Sequence, residues 1–282
     1  MFMTRLMSSV VLVALAFLTI LSGGCLLAAV LFFLAVTAFR ELMNACKLAG
    51  AGSAEGKAVG RKLNGLEVTG YIGITVYYLL MTFTEERIYL FLVLITVLVA
   101  FMFLYVFTFP RYRAEEIMCA FFCVAYAPVM LSFIYLVRGL PYGVYTVWMI
   151  FISSWICDTC AYVVGVLFGK HKLAPVLSPK KSVEGALGGV MGSAVVGALY
   201  AYFFVEKMVS EQEITWVFVL ISAAGAVISQ VGDLAASAIK RNHEIKDYGR
   251  LIPGHGGVMD RFDSVIFTAP MIYFLALLLI KV

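Results

Sequence analysis

The sequence predicts an all-α polytopic integral membrane protein with about nine transmembrane helices. Three observations predict it. Hydrophobic residues make up 63% of the 282-residue chain and mean hydropathy is +0.99, more apolar surface than a soluble domain can bury. The apolar residues fall into runs near the ~20 residues a spanning helix needs. The basic residues concentrate in alternate loops, as membrane topology requires.

In chain order, Ser9 to Phe39 is too long for one span, and Ser22-Gly23-Gly24 offers a break, giving two short or tilted spans. The apolar start could pass for a signal peptide. No small-residue cleavage site leads into polar sequence, so it reads as a retained span. Arg40 to Thr69 is polar and reads as a loop or interfacial helix. Further spans are expected at about 70–83, 88–109, 117–137, 143–168, 186–205, 214–236 and 264–280. If the N-terminus and every loop after an even-numbered span share one side, 17 of the 21 Lys and Arg residues lie there. The positive-inside rule makes that side cytoplasmic. The chain reads as one membrane-embedded domain over 1–282, with 1–140 a helical frame and 141–282 the chemical half.

Polar residues gather between Gln230 and Asp263. Asp233, Ser237, Lys240 and Arg241 stand at i, i+4, i+7 and i+8, one face of a helix leaving the eighth span. Lys-Arg after a span is ordinary topology, but a carboxylate near the end of an apolar run is costly and needs a reason. Pro253-Gly254-His255-Gly256-Gly257 follows, then Asp260-Arg261-Phe262-Asp263. Glycines there let backbone approach a ligand and turn N–H groups onto an anion. Asp260 and Asp263 start a helix, where capping would account for either one. Together with Asp233 they make an oxygen-rich set suited to Mg²⁺.

A second group lies one loop earlier. Asp158 and Tyr162 are one helical turn apart inside the sixth span, and an intramembrane carboxylate is a functional candidate by default. The next loop carries Lys170, His171, Lys172, Ser178, Lys180, Lys181, Ser182 and Glu184, which suits polyphosphate, although cytoplasmic topology accounts for any single Lys.

Other matches fail. Gly165 to Lys170 has the wrong spacing for a Walker loop, and His171 stands where Ser or Thr should be. Ser178-Pro179-Lys180-Lys181 resembles a DNA-binding tetrapeptide, but a short loop between spans excludes nucleic acid as a partner. Cys157 and Cys160 form C-x-x-C without a second ligand pair. The six Cys are scattered in no disulfide framework, and His243 and His255 have no third ligand in view.

The stretch Ser237, Lys240-Arg241, Lys246-Asp247, His255-Gly256-Gly257, Asp260-Arg261-Phe262-Asp263 closely resembles the signature of the phosphatidate cytidylyltransferases (CDP-diacylglycerol synthases), with no departure over more than ten fixed positions. The resemblance extends to Gln230-x-Gly232-Asp233-Leu234, Asp158-x-x-Ala161-Tyr162, Ser178-Pro179-Lys180-Lys181-Ser182-x-Glu184-Gly185 and, more thinly, Phe39-Arg40-Glu41-Leu42. It implies that CTP and phosphatidate give CDP-diacylglycerol and diphosphate, with Mg²⁺ and a second cation such as K⁺, in a homodimer. It assigns Asp233, Asp260 and Asp263 to metal, with Asp158 in the polar cavity as a structural or metal-shell group. Lys240, Arg241, Lys246 and Arg261 would hold phosphates, and Ser237 lies in the same signature. His255, Gly256 and Gly257 would form the phosphate turn, and Ser178, Lys180, Lys181 and Ser182 would line the nucleotide side.

That reaction fits the residues. A phosphate monoester, with a second pKa of about 6, is largely dianionic at neutral pH and needs no strong base. The rivals are a CTP-dependent enzyme with another lipid acceptor (an archaeol-type synthase, or a polyprenol or phytol kinase), and a transporter using Asp158. The compact chain points to a bacterial inner membrane, with the site facing the cytoplasm.

Overall fold

The computed structural model describes residues 13–48, 63–206, 214–249, 251 and 256–280. Its helices are α1 (Val13–Ser22), α2 (Gly24–Ala45), α3 (Gly65–Phe83), α4 (Ile88–Phe107), α5 (Ala114–Arg138), α6 (Gly143–Phe168), α7 (Val183–Val205), α8 (Ile214–Asn242) and α9 (Met259–Leu279). Two short strands, β1 (Lys172–Ala174) and β2 (Ser178–Ser182), pair antiparallel between α6 and α7. Eight of these helices are long and apolar enough to cross a membrane, and α1 is a shorter apolar one. The all-α polytopic reading therefore holds, with a small hairpin where the sequence suggested only a loop.

The chain divides into two compact units. One comprises Met1–Ser132 with His243–Arg261, the other Phe133–Asn242 with Phe262–Val282.

In the first unit, the break between α1 and α2 falls where the sequence placed it. Gly23 (φ 62) and Gly24 (φ 51) both adopt left-handed backbone, which side chains disfavour and glycine tolerates. The polar segment after Phe39 is a correction. Helix α2 continues to Ala45, past the end of the apolar run, because Glu41 is buried and hydrogen-bonded rather than solvated. Helix α3 begins at Gly65, earlier than about 70, because Asn64 caps it. The Asn64 side chain accepts from Glu67 N (2.9 Å), and Glu67 Oε2 accepts from Asn64 N (3.2 Å). This reciprocal box satisfies two otherwise orphaned donors. Asn64 Nδ2 also donates to Leu48 O (2.5 Å), and Gly65 N donates to Tyr112 Oη (3.0 Å). The C-terminal end of α2 and the N-terminal ends of α3 and α5 thus meet in one layer, as alternating spans require.

Close helix approach is set by small residues. A Cβ on Gly70 would run into the Phe39 ring, and one on Gly73 would meet Val97. Helix α4 turns Phe91, Leu92, Ile95, Val99, Phe103 and Val106 outward, as a lipid-facing helix does. In α5 a π-helical turn over Ala125–Val129 contains Pro128, which lacks an N–H and loosens the ladder. Tyr78 Oη donates to Pro128 O (2.9 Å), supplying a partner at that weakened turn.

In the second unit, α6 and α7 pack through glycine. Cβ atoms at Gly188, Gly189 and Gly192 would strike Val164, Cys157 and Cys160, the small-residue contact that lets membrane helices approach. Gln230 Nε2, on α8, donates to Ala186 O (3.0 Å) and to Cys157 Sγ (3.4 Å), tying three helices together.

Gly70→Val should wedge α2 from α3. A loss of about 1–3 kcal/mol is expected, the usual cost of overpacking, read as a lowered thermal transition in detergent. Gly139→Ala, whose added Cβ makes only ordinary contacts of 3.5 and 3.7 Å, should leave that transition in place.

Candidate active site

The site residues fall into two groups, one in each unit. In the second unit the hairpin is fastened at both ends. Ser182 is buried and caps α7, its Oγ accepting from Gly185 N (3.1 Å). Added Cβ atoms at Gly165, Gly169 and Gly185 would all press on Ser182, so three glycines make room for this cap. Glu184, in the first turn of α7, accepts from the backbone N–H groups of Lys170 and His171 (3.1 and 3.2 Å) and pairs with His171 Nδ1 (2.6 Å).

That fastening delivers Lys181. Its ammonium forms an ion pair with Asp233 Oδ2 on α8, with side chains 28% and 25% exposed respectively. Asp158 on α6 and Asp263 on α9 act on the same ammonium electrostatically. Burial holds the Lys181 ammonium below the ordinary lysine value of 10.5, and Asp158 and Asp263 pull the other way by favouring its charge. Asp233 reaches this place because Gly232 lets α8 lie against α9. A Cβ there would sit 2.9 Å from Phe267 Cβ and 3.0 Å from Asp263 O. The fold therefore gathers Asp158, Lys181, Asp233 and Asp263. Ser178, Ser237 and Lys240 are half-buried, while Lys180 and Arg241 are exposed.

In the first unit the glycine turn is built around two carboxylates. Asp260 Oδ2 accepts from Tyr248 N (2.8 Å) and from Gly257 N (3.0 Å). Gly256 adopts φ +84, and a Cβ there would lie 2.9 Å from Asp260 Oδ2. Beneath this turn, Glu41 Oε1 accepts from Val258 N (3.0 Å) and Oε2 from Met259 N (2.9 Å). Cβ atoms at Gly249 or Gly257 would collide with the Glu41 carboxylate. Glu41 thus serves as the anion at the N-terminus of α9, where unpaired N–H groups and the helix dipole favour one. Lys246 and Arg261 are exposed. His255 lies outside the described residues.

The role of Glu41 went unread in the sequence. It stood in the Phe39-Arg40-Glu41-Leu42 resemblance, and a Glu inside an otherwise apolar helix was the available signal. The convergence of three cysteines described below was also missed, since their spacing carries no hint of it.

The donors suit a hard divalent cation. All are carboxylates, and Asp158, Asp233 and Asp263 act on one positive charge, the Lys181 ammonium, although their oxygens do not all lie within 4.8 Å of one another. The Lys181 ammonium among them suits a phosphate oxygen. Such an arrangement can hold a metal–polyphosphate complex.

The chain matches the cytidylyltransferase family over residues 3–279 and belongs to it. It is similar to the phosphatidate cytidylyltransferase of Staphylococcus epidermidis (strain ATCC 35984), with 30% identity over 255 residues, 90% of each chain. A shorter alignment relates it to the phosphatidate cytidylyltransferase of Staphylococcus haemolyticus, 40% identical over 162 residues, covering 56% of this chain and 59% of that relative. The phosphatidate cytidylyltransferase of Staphylococcus aureus (strain COL) is also 40% identical over 162 residues.

Glu41→Ala should strand two buried N–H groups, at about 1–3 kcal/mol each. The expected result is a lower melting temperature in detergent and loss of activity together. Glu41→Gln, which keeps one acceptor oxygen, should recover part of both.

Proposed function

We propose that this protein is a phosphatidate cytidylyltransferase, converting CTP and phosphatidate to CDP-diacylglycerol and diphosphate in a membrane. The observation that carries the reading is Lys181, ion-paired to Asp233 and under the influence of Asp158 and Asp263. It supplies a cation among hard oxygen donors, on a hairpin between two membrane-spanning helices. The names of the similar staphylococcal proteins point to the same reaction.

In this reading a phosphate oxygen of phosphatidate attacks the α-phosphorus of CTP. The bond from that phosphorus to the bridging oxygen breaks, and diphosphate leaves with the electron pair. The nucleophile is already ionised, so the protein's task is to bring anions together and offset their charge. Asp233 and Asp263 would hold Mg²⁺, with Asp158 acting on the same Lys181 ammonium, and the signature assigns Asp260 to metal as well. When bound, the metal neutralises polyphosphate charge and polarises the phosphorus–oxygen bonds. Lys181 can pass from Asp233 to a phosphate oxygen as nucleotide arrives. Lys240, Arg241, Lys246 and Arg261 steady the phosphates. Ser178 and Lys180 belong to the nucleotide side, with Ser182 behind them as the cap of α7, and Ser237 lies one turn beyond Asp233. The Gly256-Gly257 turn, with His255 before it, brings backbone close to phosphate. Cationic groups near helix ends let the lipid headgroup react without entering hydrocarbon. The segregation of basic loops supports a cytoplasmic-facing site, and the staphylococcal relatives support a bacterial membrane. A homodimer and a second cation such as K⁺ complete the reading.

Purified protein in detergent with CTP, phosphatidate and Mg²⁺ is expected to release diphosphate only when the lipid is present. Asp260→Asn should slow it by about 10²-fold or more. CDP formation with an isoprenoid alcohol in place of diphosphate release would make the protein a kinase, and absence of CTP binding would end the reading.

The state of Lys181 gives a pH test. Its charge aids anion binding at low pH and is lost as pH rises through a pKa below 10.5. The alkaline limb of kcat/KM should fall below that value. Lys181→Arg, which stays charged, should move the limb to higher pH.

A further inference from the structure

Cys46, Cys119 and Cys123 come together in the first unit. Cys46 closes the C-terminus of α2. Cys119 and Cys123 stand one turn apart on α5 and so share a face. Their three Sγ atoms all lie within 4.8 Å of one another, the one such ligand cluster among the described residues. The thiols hydrogen-bond among themselves, and His243, outside that 4.8 Å cluster, acts electrostatically on Cys119.

Buried cysteine is ordinarily a small hydrophobe. Cys157 and Cys160 behave that way, each filling space against a helical glycine. The first-unit cluster differs. Its sulfurs face one another from two elements, and Cys46 and Cys119 are only half-buried. A tetrahedral zinc–thiolate site, with Zn–S near 2.3 Å, holds its sulfurs roughly 3.8 Å apart, within the spacing seen. A disulfide could use only two of the three.

We propose that Cys46, Cys119 and Cys123 form a zinc site, with His243 the neighbouring nitrogen donor for the fourth position. Binding releases a proton from each thiol to solvent, and three thiolates with neutral imidazole around Zn²⁺ leave a net charge of −1 beside Lys47. The role is structural. The ion would pin α2 to α5 five residues beyond Glu41, the carboxylate that fixes the start of α9. Through His243 it would also pin the beginning of the loop that leads to Tyr248 and Asp260. This proposal does not rest on the catalytic reading, and its readout is metal content.

The test uses full-length protein without a polyhistidine tag, purified in detergent with a reductant. Zinc is measured by mass spectrometry, and the protein is then titrated with Cd²⁺ or Co²⁺ to read thiolate-to-metal absorption. About one equivalent of zinc per chain and saturation near one equivalent are expected. The Cys119→Ser/Cys123→Ser variant should bind at least ~100-fold more weakly, while Cys157→Ser/Cys160→Ser should match wild type. His243→Ala should alter the Co²⁺ spectrum and keep the thiolate band. Wild-type protein with no zinc and no thiolate–metal absorption overturns the proposal, whether or not the variants fold. So does a titration unchanged in Cys119→Ser/Cys123→Ser, or a disulfide that persists under reductant.

Discussion

The first unit depends on one buried carboxylate. Glu41 lies within a helix of spanning length, 6% exposed, and both its oxygens accept backbone N–H groups at the start of α9. An ionised group in that setting survives only if fully hydrogen-bonded. The fold complies by giving it the orphaned donors of a helix N-terminus. The consequences spread along the chain. Gly249 and Gly257 must lack side chains to clear the carboxylate, Gly256 must turn left-handed, and Asp260 is then presented with its Oδ2 held by Tyr248 and Gly257. A structural charge thereby positions a chemical one.

A second constraint is the absence of water from the bilayer interior, which obliges every backbone group to find a partner inside the protein. The described helices meet it where they depart from ideal geometry. Tyr78 donates to the carbonyl of Pro128 at the π turn of α5, and Ser193 donates to Ile152 O at the π turn of α6. Glycines do the complementary work. On α7 they bring backbone against Cys157, Cys160 and Val164, and Gly232 brings α8 against Asp263 and Phe267. The Lys181–Asp233 pair stands on that packing, because the hairpin and α8 reach each other only when α6, α7 and α8 pack this closely.

Much of this was legible in the residues. Apolar runs marked the spans, since hydrocarbon thickness fixes helix length, and Gly23-Gly24 marked the first break. Hydropathy misplaced the end of α2 and the start of α3 for a physical reason. A carboxylate reads as solvent, yet Glu41 and Glu67 are buried as caps. The signature residues were singled out one by one, and the family match over 3–279 agrees with the resemblance they carried. The glycines of that signature were expected to admit a ligand. Gly257 proves to be needed first by Glu41, and Gly256 by Asp260.

By itself, the sequence determined that the chain is an all-helical membrane protein of the cytidylyltransferase family, and which polar residues are candidates for its chemistry. Those properties are local: hydropathy over about 20 residues, and fixed spacings within a motif. Only the tertiary structure decided who meets whom. It paired Lys181 with Asp233 across 52 positions, set Glu41 on Val258 and Met259 across more than two hundred, and drew Cys46 to Cys119 and Cys123. Such meetings follow from how helices pack, through the sizes of side chains at their contacts, and no spacing along the chain encodes them.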